Sequence, residues 1–118
     1  VRLLISKWKH TYLQMDGYLR ALQLSAEANA AASERSGSIE IRYFELPGWQ
    51  NATGPAGEYP DFSRVNHAKY IVTDARFNIG TSNMEWTYFF NSAGTSFNSD
   101  HPLLRQELQE LFDRDWNS

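Results

Sequence analysis

Apolar positions along the chain fall into short runs, two-residue alternations and helical repeats, and each period predicts an element. Arg2 to Ser6 carries Leu3, Leu4 and Ile5 in one run and reads as a short buried strand. Thr11, with Gln14 three residues on, resembles a capping box, so a helix is expected to start there. Met15, Tyr18, Leu19 and Leu22 recur at helical spacing, and the Ala-rich run continues the helix to Ala32, with Gly17 weakening its first turns. Ser33 to Ser38 ends it. Ile39, Ile41 and Tyr43 then alternate with Glu40 and Arg42, which predicts a half-buried strand through Leu46, stopped by Pro47. From Gly48 to Phe62 three glycines and two prolines make a surface loop.

Arg64 to Thr73 and Phe77 to Ser82 are β-rich runs joined by Asp74-Ala75-Arg76, a connection short enough for an antiparallel hairpin. A polar connection follows from Asn91 to Asp100, with a brief strand expected around Thr95 to Phe97. Pro102 suits the first turn of a last helix, with Asp100 or His101 as its cap. Leu104, Leu108, Leu111, Phe112 and Trp116 form the apolar stripe of that helix, with Arg105, Glu107, Glu110 and Asp113 toward water. The order strand, helix, strand, loop, hairpin, helix predicts an α/β fold: a mixed sheet with helices packed on it.

Composition narrows the class. At 118 residues, with 42% hydrophobic and 14% aromatic, the chain can fill one core and is expected to form a single domain. No apolar run approaches the roughly 18 residues of a membrane span. A net charge of -3 provides no broad basic face for duplex nucleic acid, so any anion site must be local. Cysteine is absent, which removes disulfides and thiolate metal sites from this piece and says little about compartment. Asn51-Ala52-Thr53 is a glycosylation sequon within the long loop, a signal toward a secreted or lumenal setting. Because VRLLIS reads as a strand from Val1 onward, a fragment or a processed chain is expected.

Candidate chemistry gathers between Val65 and Asn83. His67 and Lys69, two apart on a predicted strand, leave the same face about 7 Å apart along the chain. A three-residue loop at 74–76 would set Asn83 opposite His67 and Thr81 opposite Lys69, whereas a two-residue loop would bring Ser82 opposite His67. An imidazole can serve as nucleophile or general acid, a lysine can bind phosphate oxygens, and an asparagine amide can donate to the same oxyanion. Together they describe phosphoryl transfer without a metal. Asp74 could orient an imidazole or lower the net charge of the site. The plainer reading places His67 and Lys69 on the solvent face of an edge strand, with Asp74 as a turn residue. His10 and His101 lie at helix starts and read as caps or surface residues. Trp8, Trp49, Trp86 and Tyr88 are candidates to stack on bases, and most should be core or interface; Trp86 and Tyr88, just after Asn83, are the candidates to line a cleft. The acidic residues of the last helix spread around it and do not converge on a metal.

His67, Lys69 and Asp74 match the H-x-K-x-x-x-x-D motif of the phospholipase D superfamily, and Gly80-Thr81-Ser82-Asn83 resembles the G-S/T-x-N element that follows it. VRLLIS, RVNHAKYIVTD, NSAGTSF and RQELQELFDRDW extend the similarity to the C-terminal half of the lysosomal membrane-anchored branch, whose members act as 5′ exonucleases on single-stranded nucleic acid. Asp74 stands where that branch often has glutamate, and five residues separate it from Gly80 where many superfamily members have six. The resemblance implies an α/β/α sandwich that is one half of a two-motif fold, with residues 1–118 as a single domain from the C-terminal half of a larger protein. It implies a phosphohistidine mechanism with His67 as general acid/base, Lys69, Asn83 and Ser82 as phosphate binders, Asp74 as an orienting acid, and no metal or other cofactor. The implied partners are a second motif, from the same protein or a twofold mate in a homodimer, and a single-stranded nucleic acid substrate. Phospholipid hydrolysis or transfer and a non-catalytic phosphate-binding scaffold are the alternatives. An endosomal or lysosomal lumen, or secretion, is the implied location, with the cytoplasm as the alternative.

Overall fold

The computed structural model describes residues 1–33, 36–51, 59–60 and 62–118, which fall into two compact units, Val1–Asn66 and His67–Ser118. The α/β class read from the sequence holds: one unit has parallel strands joined by a helix, the other an antiparallel sheet with helices.

In the first unit β1 (Arg2–Lys7) pairs in parallel with β2 (Glu40–Glu45), in register from Arg2 opposite Glu40 to Lys7 opposite Glu45. Parallel neighbours cannot be joined by a tight turn, and α1 (Met15–Ala32) makes the crossover. The Tyr43 hydroxyl of β2 donates to Asp16 in the first turn of α1 at 2.6 Å. Burial first, then that hydrogen bond, pushes the Tyr43 phenol up to about 12. The amide of Gln23 donates to the Ile39 carbonyl at 3.0 Å, fixing the middle of the helix over the entry to β2.

The helix begins four residues later than its capping-box signal. The Thr11 hydroxyl accepts from the Trp8 amide and the Thr11 amide donates to the Trp8 carbonyl, each at 3.0 Å, so Thr11 closes a turn and does not cap a helix. Gln14 becomes the cap residue and makes no side-chain capping bond. After β2 a single 3₁₀ turn spans Trp49–Asn51. Gly48 precedes it at φ 81°, where a Cβ would sit 2.6 Å from the Tyr59 ring, so only glycine suits that position. The sequon that begins at Asn51 continues into residues 52 and 53, outside the described residues.

In the second unit β3 (Tyr70–Val72), β4 (Phe77–Gly80) and β5 (Ser96–Ser99) form an antiparallel meander. The expected strand from Arg64 is shortened at its start. Phe62 and Arg64 hold φ of 59° and 54°, which an extended strand excludes, and ladder bonding starts where the Gly80 amide donates to the Lys69 carbonyl at 2.9 Å. A helical turn α2 (Trp86–Phe90), which no sequence period signals, separates β4 from β5. The last helix, α3 (Pro102–Trp116), starts at Pro102 as expected, with His101 as its cap residue. It packs on β3 through Phe112, whose ring meets Tyr70 edge-on at 6.4 Å and stacks on Trp116 at 5.7 Å. Leu104, expected in the apolar stripe, is 45% exposed, while Arg105, expected in water, is half-buried.

Phe77 and Trp116 are the buried hydrophobic residues among those described, at 4% and 6% exposure. Phe77 also meets Phe97 across the ladder at 5.9 Å. Phe77→Ala removes this anchor and should cost about 3–5 kcal/mol, read as a lowered urea midpoint at unchanged slope.

Candidate active site

The hairpin that carries the motif is closed by a side chain. The Thr73 hydroxyl accepts from the amides of Ala75 and Arg76, at 3.2 and 2.9 Å, and donates to the Arg76 carbonyl at 2.9 Å. The Thr73 amide donates to the same carbonyl at 2.9 Å. Thr73 and Arg76 are thereby matched across a two-residue loop, Asp74-Ala75. The ladder follows: Val72 opposite Phe77, Ile71 opposite Asn78, Tyr70 opposite Ile79. The three-residue loop that would set Asn83 opposite His67 is corrected. Gly80, not Thr81, bonds to Lys69, and Ser82 is the residue that the same count brings level with His67.

Strand alternation then divides the sheet. Tyr70, Val72, Phe77, Ile79 and Phe97 share the face on which α3 packs. Ile71, Asn78, Gly80, Ser96 and Asn98 share the other, where the Asn78 amide donates to Asn98 at 2.9 Å. Lys69, bonded to Gly80 at the edge of the ladder, continues this polar side.

His67 is exposed and Lys69 half-buried, both just before β3 and not within it. The Lys69 ammonium donates to the His67 carbonyl at 2.8 Å, which holds the amine beside the histidine. Burial lowers the Lys69 pKa below the ordinary 10.5, because desolvation disfavours the ammonium. Ser82 and Asn83 are half-buried in the segment that follows β4. That segment is gripped by the chain before β5. Thr81 and Thr95 exchange hydrogen bonds, amide to carbonyl at 3.1 Å and amide to hydroxyl at 3.0 Å. A Cβ on Gly94 would lie 2.5 Å from the Ser82 hydroxyl and 2.8 Å from that of Thr81, so a side chain there would have to displace both hydroxyls of the motif.

Asp74 is exposed at the hairpin tip, separated from Lys69 by the length of β3, roughly 16 Å of extended chain. Its backbone carbonyl and that of Thr73 accept from the Arg105 guanidinium of α3, the Thr73 contact at 3.4 Å. Trp86 and Tyr88 lie on α2, Trp86 74% exposed and tilted on Phe90 at 4.4 Å, Tyr88 half-buried. The structure thus brings His67 and Lys69 together and sets Asp74 apart at the tip. Thr73, Gly94 and Arg105, which shape the motif without belonging to it, are invisible to spacing alone; only the glycine within NSAGTSF is a local sign. Among the described residues no three His, Asp or Glu side chains group to hold a metal ion.

No protein-family model matches the chain. Among curated proteins it is similar to phospholipase D Z of Dictyostelium discoideum, 38% identical over 118 residues, with all of this chain and 24% of that protein covered. It is 40% identical over 121 residues to the virion nicking-joining enzyme of vaccinia virus, covering 100% of this chain and 25% of the enzyme. It is 38% identical over 125 residues to the 5'-3' exonuclease PLD3 of Xenopus laevis, covering 100% and 23%. The chain therefore spans about a quarter of the length of these relatives.

A partly desolvated amine held on the backbone of an exposed histidine is poised for an anion. The lowered Lys69 pKa means that the folded state binds fewer protons than the unfolded chain between that pKa and 10.5, so this group's contribution to stability rises with pH across that window. An oxyanion at the amine reverses the shift. Inorganic phosphate should move the Lys69 side-chain titration upward, followed by NMR of its methylene carbons; an unmoved titration would place the anion elsewhere.

Proposed function

Because the chain belongs to the phospholipase D superfamily, we propose that it supplies one half of a phosphodiesterase active site, with His67, Lys69, Ser82 and Asn83 facing the scissile phosphate. The observation that carries this is the pairing of Lys69 with the His67 backbone next to the Gly80–Asn83 segment, in a chain alike over its whole length to superfamily members. Lys69 binds a phosphate oxygen as a point charge, while the Asn83 amide and the Ser82 hydroxyl donate to the others. Asp74, exposed at the hairpin tip, is given no part in the displacement.

The reaction takes two displacements. An imidazole nitrogen of the second motif attacks phosphorus, a P–N bond forms, the P–O bond to the leaving group breaks, and the leaving oxygen takes the proton held by His67. Water then attacks the phosphohistidine, passes its proton to the neutral His67, and the P–N bond breaks. The second histidine comes from another segment of the same protein or from a twofold mate.

Single-stranded nucleic acid, cleaved from its 5′ end, is the substrate class we favour. Two of the relatives above bear names for nucleic-acid enzymes, a nicking-joining enzyme and a 5'-3' exonuclease. A phospholipid substrate is the second reading, favoured by the name of the Dictyostelium relative. An endosomal or lysosomal lumen is the proposed setting for the exonuclease.

With both motifs present, in the intact protein or in a twofold assembly, 5′-hydroxyl oligodeoxynucleotides should lose nucleotides. His67→Ala should lower that rate by about 10²- to 10⁴-fold with the thermal midpoint unchanged. Cleavage of phospholipid vesicles with the oligonucleotide left intact would transfer the proposal to lipid. Full activity in the substituted protein would remove His67 from the chemistry.

A further inference from the structure

Immediately after β1 the chain carries Trp8, Lys9 and His10, and the rings of Trp8 and His10 meet edge to face at 4.7 Å. The Phe62 ring lies nearly parallel to His10, at 4.8 Å and 12°, and 5.9 Å from Trp8. The base of this group is fixed. The turn closed by Thr11 holds Trp8, and the Ser6 hydroxyl donates to the Asn66 carbonyl, pinning the segment after Phe62 to the end of β1. Ser63 donates from its amide to the Pro60 carbonyl at 3.3 Å, and its hydroxyl donates to the same carbonyl.

Phe62 gains little core burial from this arrangement, for it stays 67% exposed. It also occupies left-handed backbone at φ 59°, a conformation that costs a bulky residue energy and persists only where its surroundings impose it. Arg64, two residues on, shares that conformation at φ 54°, and its guanidinium covers the Tyr59 ring at 3.9 Å. The outcome is a flat, outward aromatic face at the end of a fixed ring stack, with Lys9 and Arg64 as neighbouring cations in the chain. A planar, apolar-faced group attached to an anionic backbone complements both features.

We propose that Trp8, His10 and Phe62 form a stacking platform for one nucleobase of a single-stranded nucleic acid, Phe62 offering the face on which the base lies. This rests on the reading of single-stranded nucleic acid as substrate and adds the place where a base is held. Stacking of this kind is sequence-tolerant, because every base has a π-face, so the platform would grip the strand without selecting a sequence.

The test compares binding of a fluorescein-labelled oligothymidylate with that of an abasic oligonucleotide of equal length, by anisotropy at fixed salt. Phe62→Gly suits the left-handed backbone, so it removes the ring without adding strain; Phe62→Tyr keeps it. The unsubstituted protein should prefer the base-bearing strand. Phe62→Gly should weaken that strand about tenfold or more and leave the abasic one unchanged, and Phe62→Tyr should retain the preference. Equal affinity for both strands in the unsubstituted protein, or an unaltered preference in Phe62→Gly, overturns the platform. Cleavage is scored separately: a protein that prefers base-bearing strands and hydrolyses none retains the platform and loses the phosphodiesterase reading.

Discussion

The Thr73 hydroxyl accepts from two amides and returns one bond to the Arg76 carbonyl, and the alignment of β3 on β4 follows from those three contacts. A slip of one residue would exchange the faces of one strand relative to the other. With Thr73 opposite Phe77, Lys69 would fall on the side of Phe77 and Ile79, and Tyr70 would lie opposite Gly80. The observed alignment instead keeps Tyr70, Val72, Phe77 and Ile79 on the side of Phe112, with the polar residues opposite. One small side chain therefore separates the chemistry of this sheet from its packing. Arg105 adds to the same point by bonding the Thr73 and Asp74 carbonyls from α3, which explains why an arginine within the expected solvent face of that helix is half-buried.

That alignment was within reach of the sequence. Tyr70 and Val72 alternate in one strand, Phe77 and Ile79 in the other, and only a two-residue loop puts all four on one side. A loop of Asp74-Ala75-Arg76 suits the length of the connection but breaks this alternation, and the Thr73 hydroxyl, by accepting from two amides, closes the shorter loop instead. The parallel pair was easier to read. Leu3, Leu4 and Ile5, and the alternation from Ile39 to Tyr43, predicted β1 and β2 to within one or two residues because both strands carry an unbroken apolar signal. The start of α1 was misplaced by competition for one hydroxyl, since Thr11 bonds backward to Trp8 before it can cap forward.

The candidate site was legible as residue types and not as geometry. His67, Lys69, Ser82 and Asn83 were named from spacing, and the chain does hold Lys69 against the His67 backbone. Spacing could not show that the lysine would be partly desolvated. In a chain with net charge -3, long-range attraction contributes little to anion binding, and the local state of one amine matters more. An ammonium that loses hydration in the free protein regains a favourable partner when an oxyanion arrives, so its binding response is larger than that of a fully solvated lysine. Asp74 shows the limit of a motif as a guide to place. It follows β3 directly in sequence, and the strand carries it to the hairpin tip, where its backbone and not a histidine meets the neighbouring cation.

The expected strand from Arg64 to Thr73 failed at its first residue, and it failed where the backbone turns left-handed at Phe62 and Arg64. No propensity argument places an exposed phenylalanine there, because glycine or asparagine would adopt that backbone at lower cost. A local rule broken without a gain in burial calls for a gain of another kind. The parallel stack of Phe62 on His10 shows where the ring is held, and the exposure of Phe62 shows that its packing is unfinished. Another flat ring completes such a stack better than an acyl chain does, and that is the requirement the proposed base platform meets.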